Sequence, residues 1–258
     1  MKRVVGLIVL VTAVSVGQAQ IHVSKLVIKS KQKYSFGESD IVVADTLIME
    51  DSSSIELNSL KRENYLHSKV LIVGNHCSIV GSGINGKQGR AGRAGNSPVG
   101  PCKSGTSGTQ GGRGLDGTPG VNLFLYLEHV TLKSHLIIDL HGGDGGTGGI
   151  GGEGGSGTSG IVHCNGGNGG YGGNAGNGAN GGDGGSVSIH CPAGLSELVN
   201  KNFKIKNYGG AFGRGGRGGY PGSGGLGPSG RNGKNGMPGE EGFDGFVGKN
   251  GKISIVHN

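Results

Sequence analysis

The sequence has little of what an ordinary globular core requires. Of its 258 residues, 33% are hydrophobic, 5% are aromatic and none is Trp. Typical soluble domains have roughly 45–50% apolar residues when Gly is counted, which is about 38–43% without it. Beyond residue 20 the chain also lacks an uninterrupted apolar run long enough to cross a bilayer as a helix. These absences exclude a conventional core over the whole length and a later membrane-spanning helix.

Residues 1–19, by contrast, have the pattern of a secretory signal peptide. Lys2 and Arg3 give a positive start, an apolar run covers 4–16, and small residues precede Ala19. We therefore predict cleavage after Ala19, no membrane span after cleavage, and a secreted, extracellular, cell-surface or periplasmic protein. The formal net charge of +7 permits contact with acidic partners.

Glycine is the most frequent residue, with 62 copies, and it recurs every third position in six blocks. The blocks cover residues 83–95, 105–120, 142–157, 165–185, 209–225 and 227–251. A period of three matches the polyproline-II helix, and a face without Cβ atoms lets another backbone come close. The pattern favours a packed bundle of six such helices. A collagen-like trimer, typical of Gly-X-Y runs, and disorder remain alternatives, although the chain has only seven Pro.

Short stretches with alternating apolar residues lie at 20–80, 121–140, 186–207 and 252–258. This period of two predicts β-strands. The predicted fold class is mainly β and irregular, with essentially no α-helix. A β-solenoid-like or sandwich base would carry three inserted hairpins that form a six-helix polyproline-II glycine bundle.

The same pattern defines the predicted domains. They are the signal peptide at 1–19, a β-strand N-terminal base at 20–80, and a glycine-repeat bundle at 81–258 that includes the later base strands.

Four cysteines make this layout testable, since a secreted protein favours disulfides and four cysteines allow three pairings. Cys102 and Cys164 each lie in a turn between two glycine blocks, at the predicted distal tips. Cys77 and Cys191 lie just before the first block and just after the fourth, at the base. We predict the disulfides Cys102–Cys164 and Cys77–Cys191.

No residue pattern indicates catalysis or a bound cofactor. Gly-x-Gly-x-x-Gly occurs many times, but the repeat generates it without the strand-to-helix context of a nucleotide site. Asp144 and Asp183 are isolated, unlike the Asp of a calcium-binding repeat, and the cysteines lack metal-ligand spacing. We therefore predict that the protein is not an enzyme and has no cofactor and no metal.

The non-glycine positions of the blocks supply candidate contacts, because Arg and Tyr on a rigid scaffold suit a glycan or a polyanion. The candidate binding residues are Arg90, Arg93, Arg113, Tyr171, Arg214, Arg217 and Tyr220. The predicted hairpin tips at 96–104, 158–164 and 220–229 form a second set.

The phased triplets over 81–251, as in Gly142-Gly143-Asp144, resemble two groups of glycine-rich polyproline-II (polyglycine-II) bundle proteins. One group is the phage tail-fibre tip adhesins, which implies surface recognition through loops between helices. The other is the springtail antifreeze protein, which implies ice binding. A secondary likeness to collagen rests on the Gly-X-Y triplets of 227–251.

These features predict a secreted or cell-surface, non-enzymatic structural or adhesive protein. It would contact a surface glycan or an envelope protein through the hairpin tips or a basic face. The alternatives are an accessory structural subunit of an outer-surface or secretion assembly, an ice-binding protein and a collagen-like trimer. We expect no nucleic-acid partner, and the sequence leaves the oligomeric state open.

Overall fold

The computed structural model describes residues 20–257, so the predicted signal peptide lies outside the described residues. The strands are β1 (Gln20–Ile28), β2 (Lys33–Ser35), β3 (Ile41–Met49), β4 (Ser54–Glu56), β5 (Glu63–Val73), β6 (Cys77–Val80), β7 (Asn122–Leu132), β8 (Leu136–Asp139), β9 (Val187–Cys191), β10 (Phe203–Lys206) and β11 (Ile253–His257). One α-helix, α1 (Ser196–Asn202), lies between β9 and β10. Two 3-10 turns cover Ala193–Leu195 and Pro228–Gly230.

The strands form two parallel sheets. The larger has six strands in the order β1-β3-β5-β7-β9-β11, and the smaller has five in the order β10-β8-β6-β4-β2. Consecutive strands alternate between the two sheets, so each passage of the chain adds one strand to each. Glycine segments separate the later strands without changing this order.

The core lies between the inner faces of the two sheets. Alternate residues of each strand point inward, and the in-register pairing stacks like side chains on one another. Ile55, Ile79 and Ile138 are register partners across β4, β6 and β8, and each is at most 1% exposed. Full burial of such a side chain contributes about 1.5–3 kcal/mol. The β part therefore has an apolar core that the average composition conceals.

The six glycine blocks, here called glycine segments 1 to 6, leave and re-enter the sheets in pairs. Segments 1 and 2 connect β6 to β7, segments 3 and 4 connect β8 to β9, and segments 5 and 6 connect β10 to β11. Odd segments bond to one another in parallel, as from Gly86 N to Asp144 O at 2.7 Å. Even segments do the same, as from Gly108 N to Tyr171 O at 2.8 Å.

Further backbone hydrogen bonds join the odd row of segments to the even row in antiparallel fashion. Gly149 N donates to Gly112 O at 2.8 Å, and Gly176 N donates to Gly149 O at 2.8 Å. A Cβ atom added to Gly176 would overlap the Gly112 carbonyl. The glycine period therefore matches the positions at which a neighbouring carbonyl leaves no room for a side chain.

The predicted fold class is wrong. The regular structure is two parallel β-sheets with eleven strands and one short α-helix, and residues 20–257 show no bundle of six polyproline-II helices. Apart from the 3-10 turn Pro228–Gly230 at the start of segment 6, the glycine segments carry no helix or strand assignment and are defined by hydrogen bonds between segments. The reason is physical: a glycine period of three shows where Cβ atoms are excluded, but it does not fix the backbone dihedral angles.

One of the two predicted disulfides is confirmed. Cys102 and Cys164 are joined, with their Cα atoms 6.0 Å apart and a sequence separation of 62. Cys77 and Cys191 are instead free and buried, so the predicted Cys77–Cys191 disulfide is wrong. Cys77 lies in β6 of the smaller sheet and its thiol donates to the Glu50 carbonyl at 3.1 Å, whereas Cys191 ends β9 of the larger sheet.

Candidate binding surface

The seven candidate binding residues lie on three different surfaces. Arg90 and Arg93 lie on the edge formed by segments 1 and 2, where their carbonyls accept hydrogen bonds from Gly112 and Thr109. Their side chains are exposed. These two arginines therefore share one edge of the molecule.

The outer face of the even segments carries Arg113 and Tyr171. The Arg113 guanidinium donates to the Asp116 carboxylate at 3.0 Å, so this cation is already paired. Tyr171 lies in the neighbouring segment, and its ring is 57% exposed. Neither residue is part of a larger group of unpaired cations.

The outer face of the odd segments brings the other three candidates together with residues that the sequence reasoning missed. Six exposed side chains form what we call the basic stripe: Lys204, Lys206, Tyr208, Arg214, Arg217 and Tyr220. In β10, Lys204 and Lys206 point outward because Phe203 is buried and Ile205 packs against the core. The stripe thus begins on a strand and continues into segment 5.

Backbone hydrogen bonds fix the direction of the stripe. The carbonyls of Tyr208, Ala211, Arg214 and Arg217 accept from successive third-position glycines of segment 3, at 2.8–2.9 Å. These bonds keep every third residue of segment 5 in one column. The Arg217 guanidinium lies 4.8 Å from the centre of the Tyr220 ring, an arrangement that holds the cation in place without neutralising it.

The column beside the stripe contains three acids, and two of them already accept hydrogen bonds, one of these from a backbone N–H in the stripe's own column. Asp139 accepts from His141 Nδ1 at 2.6 Å, and Asp144 accepts from the Ala211 backbone N–H at 2.8 Å. The third acid in this column is Glu153. Within residues 20–257, none of the four cations of the stripe takes part in an ion pair.

Segment 4 is rich in Asn, which the sequence suggests as carbohydrate contacts, but most of these side chains are structural. Their Oδ1 atoms accept backbone N–H groups of segment 6 at 2.8–3.0 Å. The pairs are Asn168 with Lys234, Asn174 with Glu240, Asn177 with Phe243, and Asn180 with Phe246. Their spacing in multiples of three residues is the sequence signal for this ladder.

The outer face of the larger sheet carries a second group that was missed, a row of aromatic rings. Tyr65 stacks on Phe124 at 4.8 Å, and Tyr126 stacks on His190 at 4.4 Å. The Tyr65 hydroxyl donates to Glu63, and this hydrogen bond raises the pKa of the phenol. Because the rings cover one another across strands, their faces are occupied, and the row stabilises the sheet.

The distal tip has an open cleft of about 530 Å³ beside the Cys102–Cys164 disulfide. Polar side chains dominate its lining, and they include His163, Asn168 and Lys234. Asn168 is committed to the ladder through its oxygen, which leaves its amide N–H groups as donors. The predicted tips at 96–104 and 158–164 therefore meet at one polar cleft.

Over residues 20–257, no group of three or more His, Cys, Asp and Glu side chains could hold a metal ion. The same part of the chain contains no helix long and apolar enough to cross a membrane.

Comparison with known proteins assigns no family. No protein-family model matches the chain, and no curated protein matches it. A solved structure, the nine-helix polyproline type II bundle antifreeze protein of the springtail Granisotoma rainieri, is 23% identical over 65% of this chain and 92% of its own, with a TM-score of 0.10. A TM-score this low supports no conclusion about fold or function. The functional conclusion therefore depends on the chemistry of the basic stripe.

Proposed function

We propose that this protein is a secreted or cell-surface, non-enzymatic recognition module that binds an acidic linear polysaccharide along the basic stripe. One observation carries the proposal: four exposed cations without an ion-pair partner among the described residues lie in one straight column with two exposed tyrosines. Arginine binds carboxylate and sulfate groups through paired N–H donors, and Tyr offers an apolar ring with a polar end.

The shape of the stripe favours a linear ligand over a compact one. The cations follow β10 and then segment 5. Pairing of β10 with β8 holds the two lysines, and backbone hydrogen bonds to segment 3 hold the two arginines. A rigid site loses little conformational entropy on binding. A polysaccharide with a repeated negative charge can contact several of these cations at once.

The location is part of the proposal. The Cys102–Cys164 disulfide supports an oxidising compartment, where such bonds form and persist. An acidic polysaccharide of a cell surface or extracellular matrix is a ligand that such a protein would meet. Recognition without chemistry predicts that the polysaccharide keeps its chain length after incubation with the protein.

Isothermal titration with polygalacturonate, dextran sulfate and neutral dextran tests the proposal. The double variant Arg214→Ala/Arg217→Ala removes two cations of the stripe, and Arg90→Ala/Arg93→Ala removes the same charge from a different edge. Loss of one charge-assisted contact costs about 1.5–3 kcal/mol, which is about tenfold or more in affinity for each arginine.

We expect the stripe variant to bind an acidic polysaccharide at least about a hundredfold more weakly. The edge variant should stay within about threefold of the wild type, since its charge change is long-range and screened by salt. Equal losses in both variants would show that net charge alone drives binding and would refute the proposal. Equal affinity for neutral dextran, or for a DNA oligonucleotide, would also contradict it.

A further inference from the structure

Segment 6 exposes an apolar group that the proposed function does not use. Phe243 and Phe246 are each 78% exposed, and Val247 beside them is 61% exposed. They lie on the outer face of the even segments, opposite the face that carries the basic stripe. Segment 6 is the last of the even segments, so this apolar group borders the free edge of the molecule that segments 5 and 6 form. Contiguous exposed apolar residues on a rigid surface mark an interaction site more often than scattered ones do.

Hydrogen bonds hold the two rings in a regular column, with an acidic residue next to one ring and a basic residue next to the other. The central part of this column is Glu240, Phe243, Phe246 and Lys249, whose carbonyls accept N–H groups of segment 4 at 2.8–2.9 Å. The same pattern extends the column to Met237 before Glu240 and to Lys252 after Lys249. The residues are therefore equally spaced, every third along the segment. Reading along its central part gives acid, ring, ring, base.

That order is self-complementary under a two-fold axis. An axis midway between Phe243 and Phe246 places each Phe243 against the Phe246 of a second, antiparallel copy, and it places Glu240 opposite Lys249 on both sides of the rings. Closed two-fold dimers use the same patch on both subunits in this way. We propose that a second copy of this chain docks on the column, with the paired rings at the centre and two intermolecular ion pairs around them.

The two charges beside the rings are available for such pairs. Within the described residues neither Glu240 nor Lys249 forms an ion pair. The only partner of the Glu240 carboxylate there is the Asn174 side-chain amide, at 3.5 Å. An antiparallel copy would supply each charge with a partner of opposite sign.

Another chain could instead pair with the backbone at the free edge of the molecule, but hydrogen bonds at this edge disfavour such pairing. The edge N–H groups of Gly209, Gly215 and Gly224 already donate to side-chain oxygens of segment 6, at 2.8–3.0 Å. The acceptors are Asn250, Asp244 and Asn235. Such capping blocks continuation of the hydrogen-bonded rows, as charged or capped edges do in β-sheets. Docking here must therefore use the side chains of the column.

Sedimentation velocity on the full mature chain, from 1 to about 200 µM, tests the dimer, since small interfaces bind in the micromolar range or weaker. We expect a concentration-dependent dimer that Phe243→Ser/Phe246→Ser weakens at least a hundredfold. Leu115→Ser is the matched control, because Leu115 is a 59% exposed apolar residue outside the column. It should leave the dimer unchanged.

Charge-reversal variants distinguish this dimer from other partners that could bind the column. They leave the exposed apolar area unchanged. Glu240→Lys and Lys249→Glu should each weaken the dimer about tenfold or more, and the double reversal should restore it, because the opposite charges then meet again. A wild-type chain that stays monomeric at 200 µM would overturn the proposal, as would a double reversal without restoration. Binding of a monomeric wild type to phosphatidylglycerol vesicles, lost in the double Phe variant, would assign the rings to a lipid surface and refute the dimer. The basic stripe plays no part in these outcomes.

Discussion

Gly151 offers a sharp test of how the glycine segments are held together. Gly151 lies in segment 3, and a Cβ atom at this position would overlap the Gly173 carbonyl and approach the Gly219 backbone nitrogen to 2.7 Å. Overfilling a packed site costs about 1–3 kcal/mol. Both obstructing groups are backbone and cannot rotate away, so Gly151→Ala should destabilise by about 3 kcal/mol, the upper end of that range.

Thermal unfolding followed by circular dichroism measures this cost. In a chain of this size 1 kcal/mol shifts Tm by about 2–4 °C, so Gly151→Ala should lower Tm by about 6–12 °C. Gly194→Ala is the control, because nothing lies within 4 Å of a Cβ atom there, and its Tm should be unchanged. Gly112→Ala, whose nearest obstruction is Arg90 N at 3.1 Å, should fall between the two. Equal Tm values for Gly151→Ala and Gly194→Ala would refute the close-packing argument.

Two further predictions concern the disulfide and acid stability. Cys102→Ser/Cys164→Ser should lower the unfolding free energy by about 4 kcal/mol, the chain-entropy value for a closed loop of this size. A reductant should destabilise the wild type but not the variant. Equal loss of stability in both proteins on reduction would contradict this prediction. The hydrogen bond and charge of Lys69 hold the pKa of Asp45 below its usual value. The ionised pair therefore stabilises the fold at pH values above the unfolded pKa of about 3.9. This stabilisation is lost as the pH falls through the lower pKa of Asp45 in the folded state. Lys69→Met should therefore lower Tm at pH 6 but not near pH 2, and a Tm deficit that persists undiminished at pH 2 would show that the ion pair is not its cause.

Local patterns in the sequence predicted local features correctly. The alternation in 121–140 lies where β7 and β8 form, and the position of Cys102 and Cys164 between glycine blocks led to the disulfide. Arg214, Arg217 and Tyr220 share a column because they share one segment and its period. In each case the residues that decide the outcome are close in sequence or occupy equivalent places in the repeat.

The rest of the candidate site was not predictable from periodicity. Lys204 and Lys206 follow a period of two, whereas Arg214 and Arg217 follow a period of three. The local sequence pattern therefore does not show that all four side chains lie along the same face. Arg113 forms an ion pair with Asp116. The spacing of three residues between them permits this pair but does not require it. Whether a cation is paired depends on rotamers and neighbours that the sequence does not specify.

The sequence by itself determined where strands form and which positions must be glycine, because side-chain alternation and the exclusion of Cβ atoms are local constraints. Only the tertiary structure decided that the strands join two parallel sheets, that Cys77 and Cys191 stay apart, and that cations of a strand and a glycine segment align. Those outcomes depend on register between stretches of chain about 20 to 66 residues apart, as in the pairings of Gln20 with Ile41 and of Ile253 with Val187. Register is set by the combined packing of the whole core, and no single segment carries it.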